Sequence, residues 1–122
     1  MSEMSEAPRI QITLEPAMKL LREDFGFNSR DLAQVLRVDQ RTITRWAAGD
    51  AFPRHGARDR LEALAALDER LTETFVSWDA ARAWLRMPTR YLGDMAPIEA
   101  IRAGRIDRVM ALIEAIDSGF AS

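Results

Sequence analysis

Cysteine is absent from this 122-residue chain, and histidine occurs once, at His55. Without thiols there is no disulfide frame and no thiolate metal site, and a single imidazole leaves no histidine-based metal cluster. Neither a metal nor a cofactor is therefore expected. No apolar run approaches the roughly 20 residues that cross a bilayer. Residues 1–9, MSEMSEAPR, are acidic and polar, unlike a secretory leader, so a soluble, cytoplasmic protein without membrane contact is expected. Sustained apolar alternation is missing, which argues against strands. A nucleophile–base pair, a glycine-rich phosphate loop and metal-ligand spacing are missing too, so an enzyme is the least favoured class. His55 falls in a loop and is given no catalytic role.

The chain is 48% hydrophobic, enough for a packed core, and its length suits one domain or two small ones. Its net charge of −2 is unevenly spread. Residues 37–60 carry six arginines and three aspartates, whereas the segments on either side are both acidic. A local basic excess of this kind is the electrostatic footprint of nucleic-acid binders, although three charges also suit an ordinary solvated surface.

Helix punctuation is dense. Residues 1–13 are expected to be a disordered tail. Leu14, Ala17, Met18, Leu21 and Phe25 form one helical stripe, with Pro16 in the first turn and Gly26 at the end. Residues 28–49, NSRDLAQVLRVDQRTITRWAAG, contain two short helices and a tight turn. Asn28 or Ser29 caps the first, with Asp31 three residues past Asn28. Asp39 caps the second, which runs over 40–48 and stops at Gly49. Leu32, Ala33, Val35, Leu36, Ile43 and Trp46 face inward, with Val38 and Ala47 beside them. Gln40, Arg41, Thr42, Thr44 and Arg45 face out. Arginine forks match guanine acceptors, glutamine matches adenine, and threonine fits thymine methyls or phosphates. Arg54, His55 and Arg58 follow in the next loop, where they can touch phosphates.

This stretch resembles an Xre-type helix-turn-helix of the phage-repressor kind, with Ala33 the small residue at the helix crossing and Ile43 the buried branched residue. It departs from that pattern at Arg37, where many such turns have glycine. A left-handed arginine costs about 1 kcal/mol, so a wider turn is expected. The resemblance makes Gln40, Arg41, Thr42, Thr44, Arg45 and Arg54 the candidate DNA-binding residues. The alternative is a plain helical hairpin with a solvated polar face.

Further along, a long helix over 57–76 carries Leu61, Leu64, Leu67 or Asp68, Leu71 and Phe75 on one stripe, and serves as core or as a dimer seam. Ser77 caps a helix over 78–86, Pro97 opens a short one ending near Ala103, and a final helix spans about 105–118. That last helix has an apolar stripe, Ile106, Val109, Met110, Ile113 and Ile116, and an opposite face, Arg108, Ala111, Leu112, Ala115 and Gly119, that is also largely uncharged. Helices apolar on both sides are usually covered on both sides.

Residues 84–122 are similar to the toxin-binding domain of the Xre/MbcA/ParS antitoxin family. Trp84, Pro88, Tyr91-Leu92, Pro97, Arg102-Ala103-Gly104, Val109 and Gly119 carry the likeness. With the helix-turn-helix it extends over about residues 14–122, in the order the family uses. The resemblance implies an all-α protein in three parts: a tail (1–13), a helix-turn-helix domain with a long connecting helix (14–76) and a toxin-binding domain (77–122). It implies a non-enzymatic antitoxin that covers the active site of a RES-domain toxin, which consumes NAD, and that represses its own operon at operator DNA. Arg102, Arg105, Arg108, Leu112, Gly119, Phe120, Ala121 and Ser122 are the candidate toxin-binding residues. A homodimer, or a higher assembly with the toxin, is expected. The competing reading is a stand-alone dimeric transcription regulator whose second half only dimerises.

Overall fold

Apolar residues at three- and four-residue spacing generate seven α-helices and one 3-10 turn in the computed structural model, which describes residues 14–119. The helices are α1 (Leu14–Phe25), α2 (Ser29–Leu36), α3 (Gln40–Ala47), α4 (His55–Thr74), α5 (Trp78–Leu85), α6 (Pro97–Arg102) and α7 (Ile106–Asp117), with the 3-10 turn at Arg90–Leu92 before α6. The fold is all-α, as the punctuation implied. An isolated bridge, Thr89 to Met95, is the nearest approach to sheet among the described residues.

Local chemistry explains most boundaries. Asn28 caps α2 by a reciprocal box: its side chain accepts from the Asp31 amide at 2.8 Å, and its own amide donates to Asp31 Oδ2 at 3.1 Å. Ser77 caps α5 by accepting from the Ala80 amide at 3.1 Å. Asp39 occupies the N-cap position of α3 but makes no side-chain cap bond, so the expected cap is one of backbone alone. The helix expected over 57–76 begins earlier, at His55, and takes in Gly56. Ala47, expected beside the core, is exposed.

The α2–α3 turn is not widened. Arg37 itself takes the left-handed conformation, at φ 59° and ψ 48°. The tight geometry lets the Val38 amide reach the Ala33 carbonyl at 3.0 Å, closing an otherwise open helix end. That bond, and the location of the guanidinium against Gly104, set the strain against real contacts.

One apolar cluster joins both halves. It runs from Met18 and Leu21 on α1 through Leu32 and Leu36 on α2 to Leu64 and Leu71 on α4, and on to Ile101 and Ile113. Burying each such side chain contributes about 1.5–3 kcal/mol. Helix α4 is the shared wall: it packs on α1 and α2 and most extensively on α7. Polar ties reinforce this. Arg60 Nε donates to the Leu36 carbonyl at 2.9 Å, and Arg70 Nε donates to Asp117 Oδ2 at 2.9 Å, an oxygen that also accepts from Thr74 Oγ1 at 3.0 Å.

Candidate functional site

Helices α2 and α3 pack on each other across the Arg37 turn, and α1 backs α3. Ile43 and Trp46 are buried, which fixes the rotation of α3. Gln40, Arg41, Thr44 and Arg45 are thereby exposed on one face, with Thr42 half-buried at its edge. Thr44 Oγ1 donates back to the Gln40 carbonyl at 3.4 Å. Arg54 is exposed just before α4, on the side where the loop leaves α3. The basic excess of the sequence does not all lie here. Arg60 is tied to the end of α2, Arg37 lies on Gly104, and Arg58 pairs with Glu62 at 3.1 Å.

The second surface centres on α7. Its inner stripe, Ile106, Val109 and Ile113, is buried as expected. Leu112, expected on an outer face, is buried as well, at 4% exposure. The reason is that α7 is clasped from two sides, by α4 and by α6 with the 3-10 turn. Leu112 is therefore a core residue, whereas Ala111 on the same face is exposed and Ala115 half-buried. Arg102 is not part of a free arginine edge either. Its guanidinium lies 5.5 Å from the Phe27 ring centroid and 3.7 Å from Asp31, and its carbonyl accepts from Gln34 Nε2 at 3.3 Å. It joins the two halves of the protein. Arg105, Arg108 and Gly119 are exposed around α7. Phe120, Ala121 and Ser122 lie outside the described residues.

The sequence reading missed two features. Tyr91 and Met87 are exposed beside the 3-10 turn, and Val76 is almost fully exposed between α4 and α5. Asp68, on the inner stripe of α4, is buried, and its Oδ1 has no hydrogen-bond partner among the described residues. Its alternation with Leu67 in the pattern was the available signal. Burial, then the hydrogen bond with and charge of Asp24, then Glu69, push the Asp68 carboxyl up to about 8.

Comparison with known proteins agrees with this architecture. The profile of the antitoxin Xre/MbcA/ParS C-terminal toxin-binding domain matches residues 70–119. The mycobacterial cidal antitoxins MbcA of Mycobacterium tuberculosis and Mycobacterium bovis are each 31% identical over 97 residues, covering 80% of this chain and 85% of theirs. A chain in the crystal structure of the M. tuberculosis MbcT–MbcA toxin–antitoxin complex matches with a TM-score of 0.62 at 28% identity, covering 89% of this chain and 97% of that one. The matched domain takes in the last turn of α4 together with α5, α6 and α7, so α4 is its wall as well as that of the N-terminal helices. This chain belongs to the Xre/MbcA/ParS antitoxin family.

Proposed function

We propose that this protein is the antitoxin of a toxin–antitoxin pair, that its toxin is a RES-domain enzyme that consumes NAD, and that it blocks that enzyme by covering the active site. The family match over residues 70–119 carries the reading. The surface assigned to the toxin is the exposed edge of α7 with the residues that follow it: Arg105, Arg108, Gly119, Phe120, Ala121 and Ser122. Exposed guanidinium forks there meet partner carboxylates by paired hydrogen bonds. The antitoxin holds its partner and performs no chemistry.

The N-terminal helices are assigned to operon repression by a dimer. The support is the exposed polar face of α3, whose residues Gln40, Arg41, Thr44 and Arg45 suit base edges in a major groove, with Arg54 on phosphate. The division near residue 76 separates these roles, although α4 serves both.

Co-expression with the adjacent gene product tests the first half. Joint purification, and loss of NAD consumption when this chain is added to the purified partner, are expected. A neighbour that does not co-purify, with NAD unaffected, leaves a stand-alone dimeric transcription regulator instead.

A further inference from the structure

Residues 86–91, Arg-Met-Pro-Thr-Arg-Tyr, lead from the end of α5 into the 3-10 turn. Every residue of this run except Thr89 is exposed, Met87 at 59% and Tyr91 at 47%. A single exposed apolar side chain is ordinary. Here Met, Tyr and two Arg stand together in six residues, and these are the types enriched where proteins meet. Neither Arg86 nor Arg90 is in an ion pair among the described residues.

The loop is held in place. The Met87 amide donates to the Trp84 carbonyl at 3.1 Å, and the Thr89 amide donates to the Met95 carbonyl at 3.1 Å. The Thr89 carbonyl accepts from the amides of Leu92 at 3.0 Å and Asp94 at 2.9 Å, and Thr89 Oγ1 accepts from the Tyr91 amide at 3.3 Å. Leu92 is buried and pins the turn to the core. A backbone fixed in this way loses little freedom when a partner covers its side chains, so the ordering cost of binding is small.

The loop lies inside residues 70–119, which match the toxin-binding domain of the family, and the 3-10 turn packs on α7, whose exposed edge is assigned to the toxin above. A second copy is the weaker occupant. Residues 86–95 hold two arginines and one acid, Asp94, and a two-fold contact sets like patches face to face.

We propose that residues 86–91 form a second contact surface for the toxin, with Met87 and Tyr91 as apolar anchors and Arg86 and Arg90 at the rim, facing acidic groups of the partner. This inference rests on the antitoxin reading and adds a holding contact to the α7 edge.

Titration calorimetry of the full chain with the purified product of the adjacent gene tests it. Met87→Ser with Tyr91→Ser should raise the dissociation constant at least about tenfold, the size expected for loss of an aromatic anchor. Tyr91→Phe keeps the ring and should bind like the parent. The thermal unfolding midpoint should not move in either variant, since the side chains are exposed in the free chain. Benzoylphenylalanine in place of Tyr91 should crosslink to the toxin under light. Parent-like affinity of the double variant, or crosslinks to a second copy alone, overturns this proposal and leaves the antitoxin reading standing. A parent chain that does not bind the gene product overturns both.

Discussion

At Gly104 the backbone has φ +85°, and an added Cβ would sit 3.0 Å from Arg37 Nη2. Two costs are mixed there, a left-handed side chain and a collision. The guanidinium is the far end of a flexible chain and can swing aside, so the backbone term dominates. Gly104→Ala should therefore lower stability by about 1–2 kcal/mol in denaturant titration. The same penalty, within about 0.5 kcal/mol, should be found in an Arg37→Ala background. A penalty that vanishes in that background would assign the cost to the collision. Single residues also show how far the sequence could be read. Asn28 was legible because a cap depends on its own neighbours three residues on. Asp39 had the same local credentials and makes no side-chain bond, because nothing in a short pattern fixes its rotamer. Leu112 and Arg102 were misplaced for a different reason. Their surroundings come from α4, α6 and Phe27, far away in the sequence.

Among the elements, α3 is positioned by two anchors, Ile43 and Trp46, three residues apart. This spacing gives it one buried and one exposed face, and the polar face follows from composition alone. The helix was therefore legible to within a residue, including which side faces out. Its task was not, since a solvated face and a reading face have the same pattern. The discriminating measurement is operator binding by a double variant, Arg41→Ala with Arg45→Ala. If each arginine makes a forked guanine contact, each loss should cost about 1–3 kcal/mol at its own base. Arg54→Ala should weaken all sequences alike, since a phosphate contact carries no sequence information. Unchanged binding by the double variant would remove α3 as the reader. The α4 boundary teaches a related lesson. Pro53 and Gly56 suggested a loop through residue 56, yet α4 starts at His55 and takes in Gly56, so one weak helix former does not set the boundary.

In the molecule as a whole, α4 and α7 form the joint between the N-terminal helices and the family's toxin-binding domain. Arg70 closes that joint at its far end, 2.9 Å from Asp117 and 3.8 Å from Glu114. Both acids lie in the last turn of α7, where the helix dipole disfavours negative charge. Arg70→Ala removes their counter-charge and should destabilise by about 1 kcal/mol, less at high salt, as read by thermal unfolding. The same joint bears on the C-terminal end. Asp117 is fixed to Arg70 and Thr74, and Ser118 Oγ donates to the Ala115 carbonyl at 3.0 Å. The last helix is thus secured before residue 119. Deleting residues 119–122 should leave the unfolding midpoint and operator binding nearly unchanged. If those residues, Phe120 foremost, cover the toxin's NAD cleft, the deletion should relieve inhibition of NAD consumption, because buried aromatic anchors dominate many interfaces. Relief should be partial while Arg105 and Arg108 still hold the partner. A truncated chain that inhibits the purified toxin as well as the full one does would move inhibition to the exposed edge of α7. Arg105→Ala with Arg108→Ala should then be the variant that releases the enzyme.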